Sequence, residues 1–370
     1  MVFFVIIKRF EVLEKERFTM KKHFLQTVTI PSLDEAAGQQ VAVYLDSLTK
    51  PRGSLGRLEK MAIELGKMTG KKMPTANKPG AIVFASDHGI TEQGVSPYPS
   101  AVTVQMAASF LREQATMSIF CRLIGAELRI IDLGINADLD EEGLINRKIR
   151  AQGTRNFYNE NAMTAQEAND ALTAGFEEAN ALLDTGVDCL ILGELGIGNT
   201  SPSSAILAVL SGKDISEVAG PGSGLVDEQV DKKRATLREA INRRNATADD
   251  VFLLLQQLGG FDIAGMAGAM IAAATRRTPI LLDGFISTVA ALVAEALAPG
   301  TKNYMIAGHQ SAEPGHQVAL ALLDKKPILQ LGMRLGEGTG AAVAYPVLRA
   351  AIAALTELPT FESAGISDKA

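Results

Sequence analysis

Two carboxylates stand in unusual company. In "LGMRLGEGTGAAVA" (331–344) Glu337 lies between two glycines at the end of an apolar run, and in "ILGELGIGNTSPSSAI" (191–206) Glu194 follows Gly193 where the backbone again turns glycine-rich. A carboxyl in a glycine loop walled by Met333 and Leu335 is partly desolvated, which raises its pKa and makes it a better base near neutral pH. Bare neighbours also let a flat substrate approach closely. The competing reading of Glu337 is an acid placed in the first turn of a helix to face its dipole.

The loop after Glu194 offers a different chemistry. An apolar strand runs into "GIGNTS", and Pro202 is expected to open a helix capped by Ser201. Backbone amides of Gly196, Gly198, Asn199 and Thr200, with the helix N-terminus behind them, would make a cradle for an anion, most simply a phosphate. The same residues also fit an ordinary tight turn. "AGPGSGL" (219–225) is a second loop of this kind, with Gly222 and Ser223, and Lys233 on the following helix could add a point charge. Neither loop has the GK[ST] ending of a Walker motif or the spacing of a dinucleotide fingerprint.

Two further strand ends carry polar residues. "FASDHGITEQGVSPYPSAVTVQM" (84–106) contains Asp87 and His88, then Ser96, Tyr98 between two prolines, and Gln105 on a helix. A strand-end Asp commonly serves a turn, while Tyr98 could wall a planar pocket. "AGHQSAEPGHQ" (307–317) supplies His309, Ser311, Glu313 and His316. Ser311 and Glu313 are expected to cap and open the next helix, with Ser311 also within reach of a phosphate.

All of these residues need a scaffold that gathers strand ends. Apolar runs without alternation recur at 80–89, 127–135, 187–196, 279–285, 303–310 and 327–333, separated by helical patterns at 100–120, 163–183, 227–244, 262–276 and 313–323. Strands alternating with helices predict an α/β fold with a mainly parallel sheet buried on both faces. Ligands of such sheets bind beyond the carboxyl ends of the strands. Helices are also expected at 34–49 and 54–69, and at 339–357, where Pro346 should kink or break the last one.

Composition narrows the function classes. The chain has 370 residues, a formal charge of −6, aromatics at 5% and no Trp. That leaves no basic footprint and few stacking platforms, so nucleic acid is not an expected partner. Two cysteines and four histidines show no zinc spacing, and the cysteines, both in apolar segments, read as buried reduced thiols. The N-terminus is a poor signal peptide and no apolar run suits a membrane span. The expectation is a soluble cytoplasmic protein with residues 1–19 as an irregular extension and Met20 as the start of the folded part.

Eight motifs in one order, "PRGSLGRLE", "FASDHGI", "GELGIGNTS", "GPGSGL", "LGGFDIAGMAGAM", "PILLDGF", "AGHQSAEPGH" and "MRLGEGTGAA", resemble the nicotinate-nucleotide–dimethylbenzimidazole phosphoribosyltransferases of cobalamin assembly. The resemblance runs from about Met20 to the C-terminus. It implies a Rossmann-like large domain (76–340) and a small helical domain (20–75 and 341–370), working as a homodimer with no cofactor and no metal. It also implies transfer of phosphoribose from nicotinate mononucleotide to 5,6-dimethylbenzimidazole. The family's general base falls on Glu337. Its second acid falls on Glu194, where Leu195 replaces the usual Met, a volume-conserving change. Gly196, Gly198, Asn199, Thr200, Gly222, Ser223, Lys233 and Ser311 are then assigned to the phosphoribose, and Ser96, Tyr98, Gln105 and Leu335 to the benzimidazole. Three other readings remain to be weighed: a dinucleotide-dependent oxidoreductase, which lacks the fingerprint; a non-catalytic nucleotide-binding protein, which would have no need of Glu337; and a paired-carboxylate glycosidase, which would want an aromatic sugar platform.

Overall fold

The apolar runs assemble into one sheet. The computed structural model describes residues 28–367 apart from Asp140 and Ser223, so the N-terminal extension and the candidate Ser223 lie outside the described residues. The strands are β1 (Pro79–Ser86), β2 (Glu127–Gly134), β3 (Leu144–Asn146), β4 (Cys189–Leu195), β5 (Ile280–Leu282) and β6 (Met305–Ala307), in the order β3-β2-β1-β4-β5-β6. Every neighbouring pair is parallel. All residues of β1 and β4 are buried, which is why their sequences are unbroken apolar runs. The direction of strand order reverses between β1 and β4, and a crevice opens there beyond their carboxyl ends.

The helices are α1 (Glu35–Asp46), α2 (Arg57–Thr69), α3 (Ala101–Leu111), α4 (Thr116–Ile124), α5 (Ala165–Leu183), α6 (Thr200–Ser211), α7 (Asp227–Arg244), α8 (Val251–Leu258), α9 (Phe261–Thr275), α10 (Phe285–Leu297), α11 (Gly315–Leu323) and α12 (Thr339–Glu357). Helices α3, α4 and α12 cover one face of the sheet, and α5, α9 and α10 the other. Helix α9 is buried from Phe261 to Ala274, so its sequence is apolar all round, as a fully enclosed helix requires. It crosses α5 at backbone contact: a Cβ on Gly268 would come within 2.0 Å of the Leu172 carbonyl oxygen.

A second, smaller cluster of Val41, Leu45, Leu48, Ala62 and Leu355 joins α1, α2 and the end of α12. The buried Lys50–Glu59 pair, 2.9 Å apart, and bonds from the Arg57 guanidinium to the carbonyls of Lys326 and Pro327 tie the "PRGSLGRLE" loop to this unit and to the chain after α11.

Four expectations need correction. The run 327–333 makes only a single bridge, Leu329 to His309; its residues are partly or fully exposed, so the burial that drives a central strand is missing. The pattern at 100–120 divides into α3 and α4, because the chain turns at Glu113, whose φ of 57° ends the first helix. Pro346 does not break α12: its ring lies on the exposed side of the helix, while Tyr345 and Leu348 beside it are buried and hold the two halves in line. The short β3 and the helices α8 and α10 were not anticipated. Helix α12 is long and apolar enough to cross a bilayer, but 56% of its apolar window is buried inside the fold. Both cysteines are free and buried, and burial pushes both thiols up.

The α5–α9 contact generates a stability test. Gly268→Ala is expected to lower the unfolding free energy by about 1–3 kcal/mol through overpacking, read as a lower denaturant midpoint with an unchanged slope.

Candidate active site

A cavity of about 410 Å³ opens at the carboxyl ends of β4, β5 and β6, walled on one side by the chain that follows β1 from Val95 to Met106. Four of its lining residues are acids: Glu194 at the end of β4, Asp283 just past β5, Glu313 before α11 and Glu337 before α12.

The Glu337 turn is the most constrained part of the site. Gly336, Glu337 and Gly338 all have positive φ, at 85°, 63° and 89°. A left-handed conformation is uncommon for a residue with a side chain and is stored where the surroundings enforce it. Two strands enforce it here. On the β4 side, the Glu337 N–H donates to Glu194 Oε1 at 3.2 Å, and Gly193 packs so closely that a Cβ would come within 2.2 Å of the Glu337 carbonyl oxygen. On the β5 side, Asp283 accepts from the N–H groups of Gly338 (3.2 Å), Gly340 (2.7 Å) and Ala341 (3.1 Å), the open end of α12. The Glu337 side chain is 8% exposed, with Oε2 buried and without a hydrogen-bond partner. Burial first, and the Asp283 charge second, push its carboxyl up to about 7.

Glu194 is clamped differently. Oε2 accepts from the Asn199 amide, which also reaches Asp262 Oδ2 at 3.4 Å; His88 Nε2 lies 3.2 Å from the same Asp262 oxygen. Burial, then the Asp262 charge, drive Glu194 well above the usual carboxylate range. Asp87 serves the turn beside it: it accepts from Thr103 Oγ1 at 2.7 Å and from the Asn136 N–H at 2.8 Å, and Thr103 Oγ1 accepts from the Ile197 N–H at 3.2 Å. Asp87 therefore holds the glycine loop in place through Thr103.

The glycine turn expected to cradle an anion differs in detail. Helix α6 starts at Thr200 behind Asn199, not at Pro202 behind Ser201; Pro202 sits in the first turn, where a missing N–H costs nothing. The N–H groups of Ile197, Asn199 and Ser201 are already bonded within the fold. Gly196, Gly198, Asn199 and Thr200 line the cavity with Gly222. Lys233 lies beneath them, 1% exposed, donating to Thr200 Oγ1 at 2.9 Å and more weakly to the Gly220 carbonyl at 3.4 Å. Ser311 lines the cavity; its Oγ accepts from the Glu313 N–H, not from the helix, so α11 begins only at Gly315 behind Pro314. His316 accepts from the Ser311 N–H through Nδ1 at 2.7 Å and contacts Thr288 Oγ1 through Nε2 at 2.9 Å. Burial holds it neutral, down to about 3.

On the outer wall stand Ser96, Tyr98 and Leu335, the last two 50% and 53% exposed, with Val102, Met106, Phe285 and Ile286 as apolar lining. Gln105 is exposed on α3 and is not among the lining residues. Asp283, Arg334, Asp262 and His309 were not assigned site roles from the sequence. "PILLDGF" does mark Asp283 as a polar residue ending a buried strand, the one signal that could have drawn attention to it. Among the described residues no three His, Cys, Asp or Glu side chains come together as a metal site.

With that geometry in view, the relatives become informative. A family model described as phosphoribosyltransferase matches residues 30–366. The chain belongs to this phosphoribosyltransferase family. It is 44% identical over 346 residues to the nicotinate-nucleotide–dimethylbenzimidazole phosphoribosyltransferase of Chloroflexus aggregans, covering 93% of this chain and 98% of that one. It is 45% identical over 339 residues to the enzyme of the same name from Desulforudis audaxviator, covering 91% and 96%. A solved CobT from Thermus thermophilus superposes with a TM-score of 0.87 at 37% identity, over 90% of this chain and all of that one.

The buried Glu337 carboxyl carries a stability signature. Glu337 binds its proton up to about pH 7 when folded, but only to about 4.3 when unfolded. The folded state therefore holds the extra proton between those values, and stability falls as pH rises through that window. Glu337→Gln, which cannot ionise, is expected to be more stable than the wild type at pH 8 by about 3–4 kcal/mol, the difference vanishing near pH 4. Chemical unfolding at the two pH values checks this.

Proposed function

We propose that this protein transfers phosphoribose from nicotinate mononucleotide to 5,6-dimethylbenzimidazole, giving α-ribazole 5′-phosphate and nicotinate for the nucleotide loop of cobalamin. The observation that carries the reading is Glu337: a carboxyl raised to about 7, held in a left-handed turn beside a cavity with a flat apolar wall and an anion cradle.

The chemistry follows from what each end of the cavity can hold. The pyridinium nitrogen of nicotinate mononucleotide is cationic, so when its bond to C1′ breaks, the electron pair returns to the ring and a neutral-nitrogen nicotinate leaves without acid catalysis. One benzimidazole nitrogen forms the new bond to C1′ from the opposite face, with inversion. Its other nitrogen gives its proton to Glu337, a base near the working pH. The phosphate is a binding handle and does not react. Gly196, Gly198, Asn199, Thr200, Gly222, Lys233 and Ser311, with Ser223, are assigned to it and the ribose; Ser96, Tyr98, Leu335 and Gln105 to the benzimidazole, with Gln105 requiring a shift of its exposed helix side.

Glu194 takes a narrower role than an open anion would. With its charge disfavoured by burial and by Asp262, it supports the Glu337 turn through the Glu337 N–H and leaves that residue as the base. Holding both substrates in line across C1′ supplies much of the remaining acceleration. The reading carries a homodimer in the cytoplasm and the two-domain division at residues 76 and 340; light scattering on the purified protein is expected to give twice the chain mass.

The direct test is nicotinate release from nicotinate mononucleotide. Release is expected to require 5,6-dimethylbenzimidazole, and Glu337→Gln to lower kcat by about 10²–10⁴-fold with little change in nucleotide KM. Release by the wild type with an unaffected variant would move the base role elsewhere, and no release with any azole would sink the transferase reading.

A further inference from the structure

One buried carboxylate in the cavity wall has no part in the transfer just described. Glu313 is 6% exposed, and neither of its oxygens has a hydrogen-bond partner of ordinary geometry. It packs against Gly220, where a Cβ would come within 2.4 Å of Oε2. The carbonyl of that same Gly220 is one of the two acceptors of Lys233 Nζ. Anion and cation thus meet at one glycine peptide at the phosphate end of the site, without a direct bond between them. Arg334 adds a second cation, its Nη1 donating to the Gly222 carbonyl at 3.3 Å. On the far side of Glu313 a second cavity of about 510 Å³ brings in only one other charged group, Glu217.

A carboxylate with no hydrogen bond of ordinary geometry in such a place is costly unless nearby cations offset it. An arriving phosphate monoester engages those cations itself and brings further negative charge. The carboxylate then loses its support and gains a repulsive neighbour, and the least costly response is to bind a proton. We propose that Glu313 is a proton-coupled counter-ion of the phosphate subsite, balancing Lys233 while the subsite is empty and taking up a proton when the phosphate arrives. The inference rests on the reading of Gly222, Lys233 and Ser311 as the phosphate subsite. The electrostatics agree in direction: burial raises Glu313, while Lys233, the Gly222 N–H and Arg334 lower it. Lys233 is held down to about 8, so at pH 7 it is already mostly charged and has little room for a proton.

Sulfate is the probe, a tetrahedral dianion that does not itself titrate near neutrality. Calorimetric titration of the full chain at pH 7, in two buffers of different ionisation enthalpy, reads the protons exchanged on binding. The wild type is expected to take up a substantial fraction of a proton. Glu313→Gln is expected to take up almost none and to bind sulfate about three- to tenfold more tightly, because a repulsive charge is gone; damage to the fold would weaken binding instead. Glu313→Asp keeps the uptake. Wild-type binding without proton exchange, unchanged uptake in Glu313→Gln (which would point to Glu337), or no sulfate binding at millimolar concentration would each overturn the proposal. Base-dependent nicotinate release from the same preparations separates its failure from failure of the transferase reading.

Discussion

The site depends on one turn held between two strands. Glu337 adopts a φ of 63° with glycines at positive φ on either side, a conformation worth of order 1–3 kcal/mol of strain unless its surroundings compel it. They compel it through the Glu194 carboxylate and Gly193 on β4, and through Asp283 after β5. Asp283 performs two tasks at once. Its oxygens close the open N-terminus of α12, and its charge adds to the burial that raises Glu337. The strand ends thus fix both where the Glu337 carboxyl points and the pH at which it accepts a proton.

The same arrangement explains why the two acids seen first in the sequence are unequal. Glu194 is enclosed, bonded to Asn199 and close to Asp262, so its charge is strongly disfavoured. Glu337 is enclosed on one oxygen and faces the cavity that Tyr98 and Leu335 also line. In the proposed reading one acid braces and the other reacts, a division that follows from environment and not from residue type. At the opposite end, Lys233 lies buried beneath the glycine loops and donates to Thr200 Oγ1 and the Gly220 carbonyl.

Much of this was legible in the chain. Strands buried on both faces leave unbroken apolar runs, so β1, β2 and β4 stand out, and an enclosed helix such as α9 leaves no polar stripe. The run 327–333 misled because it has the composition of a strand without the burial that would make it one. Strand β3 was missed because its two apolar residues are only partly buried and it ends in the exposed Asn146, unlike the equally short but fully buried β5 and β6. Glu337 and the glycine loops were visible because positive φ and close backbone approach demand glycine. Asp283 and Asp262 were harder to see: an acid that caps a helix or braces a neighbour from another part of the chain has no local spacing to announce it.

The central claim is that the turn makes Glu337 a base poised near neutrality, and the most direct measurement is the pH dependence of kcat for benzimidazole-dependent nicotinate release. The account predicts a single rising limb centred near pH 7, where Glu337 loses its proton in the folded protein. A limb centred near 4.3, the ordinary value for a glutamate, or a rate that does not change between pH 5 and 8, would contradict it.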